Sequence, residues 1–443
     1  MSEPADTPIP TVIIVGAGLG GLMFGTILEN ANISYHILER ASELRSLGSA
    51  IAMSGSVFPL FEQLGIYEEL KSVSLPHISM DLYDTKLNSL GSAYTKEHKI
   101  VSGYDMLITA RPKLYDMIRR RVPPHKISLG KKVLRSKEHD NKVTIYCSDN
   151  TEYECRILVG ADGAYSAVRQ NMYKELDEQC SLPLVDKEDF SIGYITMVGV
   201  SNPPNPEKYP QLAEKDRCRF HVTIGDNNNS IQIPEDKVKE QQSLNSEWGS
   251  ESINEMLDQF KDFPCSFGGT MKEILDATPR NLISKVFLEE KVFKTWYNGR
   301  SVLIGDACHK LLPGGGQGAV TAMKDAVVLA NCIYSMKDLS DESVKTAFAS
   351  YYRQRYLEAV DKTKYSSTLT KIMFGHKWSD WLVRKAALSF IPDWLKMKET
   401  EKNLADRPQI NWLPLVENRG SGAVVPQEGR EEAEKRAHVQ SRL

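Results

Sequence analysis

Short apolar runs punctuate this chain, and their spacing changes from one region to the next. Thr11–Val15 (TVIIV) is continuous and β-branched, which predicts a buried strand. It runs into Gly16-Ala17-Gly18-Leu19-Gly20-Gly21 and then into a helical spacing that lasts to about Ala31. Ser34–Glu39 (SYHILE) reads as the next strand. A strand, a turn, a helix and a strand in so short a span predict a parallel-sheet unit. From about 78 to 105 the period becomes two, with Ile78, Met80 and Leu82 alternating. Phe190–Val200 is a further strand-like run. Cys218, Phe220, Val222 and Ile224 alternate up to Asp226-Asn227-Asn228-Asn229, and Ile231 and Ile233 resume afterwards. That pattern predicts a hairpin, and so an antiparallel sheet with two distinct faces. A helix is expected near 247–262. Ser301–Ile304 returns to the buried-strand pattern, and helices follow from about Ala319 to about 398.

The expected architecture is therefore α/β. A Rossmann-like nucleotide-binding domain (11–77, 106–182, 291–370) is interleaved with an antiparallel β-sheet substrate domain (78–105, 183–290). A helical lid or interfacial region follows (371–416). Residues 1–10 read as a disordered leader. The polar, charged stretch 417–443, with Gly420, Gly422 and Gly429, reads as a disordered tail.

Composition narrows the function. The 443 residues suit two or three folded units. Lys+Arg 55 against Asp+Glu 58 leaves a net charge of −3, which excludes a nucleic-acid-coating protein and a polyacidic disordered one. The seven cysteines are odd in number with no CxxC spacing, so they read as reduced thiols of a cytoplasmic protein. Nine histidines without HExxH or HxH indicate no metal site. No apolar run approaches the roughly 20 residues of a spanning helix. The protein is expected to be soluble, or peripheral on an intracellular membrane.

Three segments carry chemistry. In Gly16-x-Gly18-x-x-Gly21, the first glycine permits a tight turn after the strand. The second lets backbone approach a pyrophosphate, and the third lets the helix pack on the sheet. The helix N-terminus supplies free N–H groups for the phosphates. Glu39, ending the second strand, would accept from ribose hydroxyls, which suits FAD or NAD better than NADP. The neighbouring Arg40 is counted with this site. The second segment is Gly160-Ala161-Asp162-Gly163, leading to Arg169. Asp162 would stand at the carboxyl edge of the sheet, where such folds place ligands. The third is Gly305-Asp306-Ala307-Cys308-His309, then Pro313 and Gly314-Gly315-Gly316-Gln317-Gly318. Asp306 could bind a polyol. The glycines would lie against a planar ring, and a helix from Ala319 would aim its positive end at it.

In this order the segments resemble the group A flavoprotein monooxygenases, the para-hydroxybenzoate hydroxylase-like family, over roughly residues 10–375. Leu107–Ile118, with Arg111 and Leu114, fits the family's arginine element. The resemblance implies FAD contacts at Glu39, Ala52, Arg111, Asp306 and Ala319, with Pro313, Gly316 and Gly318 in the same loop. It also implies that Asp162 and Arg169 lie near the FAD–nicotinamide side. Met53-Ser54-Gly55 and Phe61–Gly65 are similar to fungal-type members that epoxidise or hydroxylate terpenoid and polyketide substrates. Val320 stands where many members have Asn, and Cys308 where Ala is common.

Only one strand–GxGxxG–helix unit is visible, so NADPH or NADH would bind transiently as co-substrate. The resemblance then implies hydride transfer to the flavin, reaction with O2 to a C4a-hydroperoxide, and oxygen insertion into an apolar or aromatic small molecule. The sheet near 190–235 would roof the substrate, with Phe220, Val222, Ile224 and Ile231 as its alternating apolar positions. His221 reads as a surface or core-edge residue, and no catalytic base is assigned. His309 is expected to help position the phosphates. The stretch 374–398 carries Trp378, Trp381 and Trp394 among basic residues. It suits either a packed lid or peripheral contact with a membrane. A flavin oxidase or reductase on the same scaffold, and a non-enzymatic flavin-loaded partner-binding protein, remain alternatives.

Overall fold

The computed structural model describes residues 9–44, 50–202, 205, 207–209, 216, 218–223, 250–374, 378–389 and 392–429. Its centre is a six-stranded sheet. The strand order is Tyr297–Asn298, Ser301–Leu303, Ile157–Gly160, Val12–Val15, Tyr35–Leu38, Ile127–Ser128. All neighbours are parallel except the outer pair, Tyr297–Asn298 with Ser301–Leu303. Val12, Ile13, Ile14, Ile157, Leu158 and Val159 have no exposed surface. Burial on both faces explains the unbroken apolar runs. The helices Leu19–Asn30 and Gly318–Tyr334 pack together against the sheet. A Cβ on Gly20 would stand 3.4 Å from Ala322 Cβ, so a small residue at each position lets the helices approach closely.

A second sheet has the order Cys218–Thr223, Ser74–Tyr83, Leu107–Ala110, Ala50–Met53, with Ser89–Tyr94 pairing to Ser74–Tyr83. A third joins Ser191–Val198, Ser284–Val292 and His309–Lys310. The pairings are antiparallel except one: Cys218–Thr223 runs parallel to Ser74–Tyr83. The sheet is expected to be antiparallel, so this one pair departs from the expectation; the hairpin expected around 226–229 lies outside the described residues. Parallel neighbours need a long connection, and here the chain passes through the central sheet between the two strands. The second arm, Ile231 and Ile233, lies outside the described residues, as do Ile224 and most of the leader. The helix expected near 247–262 is Ser250–Phe260.

The C-terminal helices are Asp341–Phe374, Trp378–Ser389 and Asp393–Leu404. Beyond them the chain corrects one expectation: 417–429 is not a loose tail. It continues a strap from 405 that is tied down at intervals. Gln63 Nε2 donates to Ile410 O (3.1 Å) and Pro414 O (3.0 Å). The Arg407 Nη2 donates to Val101 O (3.0 Å), and Arg419 forks onto Glu62 with two 2.7 Å bonds. Arg353 reaches Glu428 at 2.6 Å. Gly420 lies so close to Val101 that a Cβ there would stand 2.1 Å from its carbonyl oxygen. Gly420 and Gly422, which read as disorder, are therefore close-approach positions, and the charges find partners far away in sequence.

Candidate functional site

The parallel register gathers the chemistry at one sheet edge. Val15 pairs with Leu38 and with Gly160, and Gly160 pairs with Leu303. The residues that follow these strand ends therefore emerge side by side: Gly16, Glu39, Ala161-Asp162 and Gly305-Asp306.

The three glycines of the first turn have different physical reasons. Gly16 has φ +104°, and a Cβ there would lie 2.4 Å from Ala161 O. A Cβ on Gly21 would lie 2.1 Å from Gly16 O. The fold itself demands both. Gly18 is extended (φ −73°, ψ 179°), and a Cβ there would meet nothing within 4 Å. Protein packing does not require glycine at 18: the space in front of the helix is open. Gly18 is the N-cap of Leu19–Asn30 and no side chain caps that end. Gln317 caps Gly318–Tyr334, again without a side-chain hydrogen bond, and a Cβ on Gly318 would also meet nothing within 4 Å. Two uncapped N-termini on neighbouring helices form a cradle of N–H donors and partial positive charge suited to an anion.

Around this cradle the polar groups are held in place. The Glu39 carboxylate accepts from Ala17 N (2.7 Å) and Ala41 N (2.9 Å), which fixes it beside the glycine turn. Arg40 beside it is exposed. Arg111 opens the helix Arg111–Arg119 with its side chain exposed. That helix is docked by Tyr115, whose hydroxyl donates to Ala17 O at 3.0 Å. Burial, and then the charge of Glu39, push the Tyr115 phenol up to about 12. Asp306 pairs with Lys310 at 2.5 Å, and its charge raises the Lys310 ammonium. Ala52 faces the glycine loop: a Cβ on Gly316 (φ +62°) would stand 3.0 Å from Ala52 Cβ. Pro313 starts a short 3-10 turn, Pro313–Gly315. Ala319 lies in the first turn of Gly318–Tyr334, half-buried. Gly314 and Gly315 answer a different need. Their added Cβ atoms would strike Thr370 Oγ1 (2.3 Å) and Ser366 Oγ (2.8 Å), so they let the loop lie on the helix Asp341–Phe374.

The remaining residues are tied into the protein, and His309 sits elsewhere than expected. Asp162 Oδ2 accepts from Ala167 N (2.7 Å) and Val168 N (3.3 Å), capping the helix Ala167–Glu178. Its other oxygen is buried without a hydrogen-bond partner, and burial raises the carboxyl pKa. Arg169 is 5% exposed and staples two turns together. It donates to Ala164 O (2.5 Å) and Ala307 O (2.7 Å) and lies 4.1 Å over the Phe293 ring. His309, expected near phosphates, is fully buried and bonds Asp325 Oδ2 at 2.5 Å. His221 bonds Ser266 Oγ at 3.0 Å and stacks on Phe267 with centroids 4.7 Å apart, at the edge of the sheet core. Phe220 and Val222 are half-buried on their strand.

Sequence reasoning missed the network behind the Gly305 turn. Asp325 accepts from Gly305 N (3.0 Å), His309 and Arg355 Nε (2.9 Å). Arg355 continues to Asp406 (2.7 Å), which Lys324 also meets at 2.7 Å. Burial alone would raise the Asp325 carboxyl, but His309 and Arg355 hold it at about 2. Cys308, His309 and Asp325 lie close enough together to ligate a metal. Their chemistry does not suit one. Burial drives the Cys308 thiol well above its ordinary value, and Sγ donates to Gly305 O at 3.4 Å. The Arg355 guanidinium occupies the carboxylate's other oxygen. Spacing could have found only the Lys324-Asp325 dipeptide, whose partners lie far off in sequence.

A nucleotide-binding sheet with an anion cradle at its carboxyl edge defines a dinucleotide-binding protein. The profile of the FAD binding domain family matches residues 10–264 and 272–362, more than half of the chain. Similar proteins include the FAD-dependent monooxygenase atmM of Aspergillus flavus, 27% identical over 433 residues, 93% of this chain and 88% of that protein. The FAD-dependent monooxygenase nodM of Hypoxylon pulicicidum is 28% identical over 438 residues, 94% of this chain and 92% of its own. Among solved structures, Klebsiella pneumoniae HpxO complexed with FAD and uric acid superposes with a TM-score of 0.66. It is 17% identical and covers 90% of this chain and 97% of that one. The chain belongs to the FAD binding domain family and is an FAD-dependent monooxygenase of the para-hydroxybenzoate hydroxylase-like group. The residues present fit FAD: an open cradle at Gly18 for a pyrophosphate and a carboxylate at Glu39 for a ribose. No helix among the described residues is long and apolar enough to cross a membrane.

Proposed function

We propose that this protein uses NADPH or NADH and O2 to hydroxylate or epoxidise an apolar or aromatic small molecule. The bound flavin supplies the redox and oxygen chemistry, and the chain supplies position and shelter. Gly18, Gly318 and the two helix N-termini hold the pyrophosphate, and Glu39 takes the ribose. Arg111 and the Asp306–Lys310 pair stand for the rest of the cofactor, and Ala52 and Gly316, packed together, lie beside its ring. Gly16, Gly21 and Pro313 shape the turns, while Asp162 and Ala319 stand at the starts of the flanking helices. The observation that carries this reading is the open space at Gly18, beside two uncapped helix ends and within one crevice with Glu39 and Asp306. The described residues build one dinucleotide unit, so the nicotinamide reductant is a transient visitor. The FAD-dependent monooxygenases among its relatives support oxygen insertion as the reaction.

The test supplies the FAD-loaded protein with NADPH or NADH under ¹⁸O2, with a panel of terpenoid and aromatic substrates. One ¹⁸O atom in a product, coupled to reductant consumption, is the expected result. Peroxide or a desaturated product from every substrate, with no label incorporated, replaces this reading with an oxidase or reductase.

A further inference from the structure

Among the described residues, the helices Trp378–Ser389 and Asp393–Leu404 carry large apolar side chains that are exposed. In the first of them, Arg384 points inward: it is 5% exposed and its Nε donates to Ile372 O at 2.7 Å. With 100° between successive residues, this turns Leu382, Val383, Lys385 and Ala386 outward. Leu382 is 47% exposed and Val383 53%. The second helix packs on Lys96–Ser102, and Leu404 at its far end is its buried residue among those described. Its first turns stand out from the body, with Trp394 at 67% and Leu395 at 40% exposure.

Among the described residues of the two helices the exposed side chains include four lysines, Lys385, Lys396, Lys398 and Lys402, against two acids, Asp393 and Glu399, with Lys396 paired to Asp393 at 3.3 Å. Exposed Trp and Leu beside lysines match the boundary of an anionic bilayer, where an indole and an ammonium both sit well. An apolar surface without basic flanks would fit a second protein equally well; the lysines separate the two.

We propose that this helical pair docks the enzyme peripherally on an anionic membrane surface. The first helix packs beside Ser89–Tyr94, the edge strand of the second sheet. Docking there brings the bilayer next to the substrate domain, so that an apolar substrate dissolved in lipid has a short path to it. That last consequence rests on the proposed function; the docking itself does not.

The test is sedimentation of the FAD-loaded full-length protein with vesicles of phosphatidylcholine alone and of phosphatidylcholine with phosphatidylserine. We expect the anionic vesicles to bind at least tenfold more tightly, with binding falling as salt rises. Trp394→Asp with Leu395→Asp, and separately Lys396→Glu with Lys398→Glu, each lower it at least tenfold. Both pairs are exposed, so flavin content and circular dichroism stay at the wild-type level. Equal sedimentation of wild type and variants overturns the proposal. So does a solution dimer that the Trp394→Asp variant breaks, which would give this surface to a second copy. Because binding is read without turnover, failure of the monooxygenase reading would leave this result standing.

Discussion

Replacing Gly18 by Ala separates a glycine kept for a ligand from one kept for the fold. At φ −73° and ψ 179° any residue is comfortable, and the new methyl meets no protein atom within 4 Å. Ala is a poorer N-cap than Gly, but it also lowers the entropy of the unfolded chain; these effects oppose each other and leave the apoprotein within about 1 kcal/mol of wild type. The methyl instead occupies the space a pyrophosphate must enter to reach the helix N–H groups. Losing one charge-assisted hydrogen bond costs about 1.5–3 kcal/mol, a weakening of FAD binding of roughly 10- to 150-fold. Gly21→Ala is the control with the opposite outcome. Its methyl would stand 2.1 Å from Gly16 O, and backbone cannot yield as a side chain can. Its apoprotein should lose at least about 2 kcal/mol. Urea unfolding of the apoprotein and titration of FAD by fluorescence quenching measure the two effects. A Gly18→Ala protein that binds FAD within threefold of wild type refutes the assignment of this space to a pyrophosphate.

Other outcomes follow from the same geometry. Glu39→Gln keeps the shape but leaves one of the two amides of Ala17 and Ala41 without its acceptor; flavin titration should show at least tenfold weaker FAD, with about 1 kcal/mol lost from apoprotein stability in urea. Asp325→Asn removes the charge that holds Arg355 and His309 behind the Gly305 turn; urea unfolding should register a loss of order 3 kcal/mol. Burial lowers the His98 pKa to about 4, so the folded protein keeps this imidazole neutral while the unfolded chain protonates it near its ordinary value. Between about pH 6.5 and 4 the unfolded chain then binds more protons, and stability is lost as the pH is lowered, by up to about 3 kcal/mol from this group. Urea midpoints against pH should show a shallower acid limb in His98→Gln, and parallel limbs would contradict the assignment.

Much of the fold was legible because its signals are local. Thr11–Val15, the glycine turn and Ser34–Glu39 state a parallel unit within a short stretch, and burial on both faces keeps the runs apolar. The Gly305 and Gly316 turns were legible for the same reason. What escaped depends on distant partners. Nothing near 218–223 tells the strand to lie parallel to 74–83. Nothing near 417 shows that Arg419 meets Glu62 or that Gly420 must slip past Val101. Arg169 and His309 stand in motif segments, yet the structure buries both. They are fasteners between turns, which only the assembled sheet edge reveals. Gly314 and Gly315 likewise read as room for a ring and turn out to be room for Thr370 and Ser366.

The central claim is that this crevice holds FAD and that the protein uses it to activate oxygen. The most direct measurement is rapid mixing of the FAD-loaded, reduced protein with oxygenated buffer, followed by absorbance. The account predicts a transient oxygenated-flavin spectrum before oxidised flavin returns, and in Gly18→Ala a transient reduced in proportion to its lower flavin content. A single-step return to oxidised flavin, with or without candidate substrates, contradicts oxygen activation, and a protein that cannot be loaded with FAD contradicts the site itself.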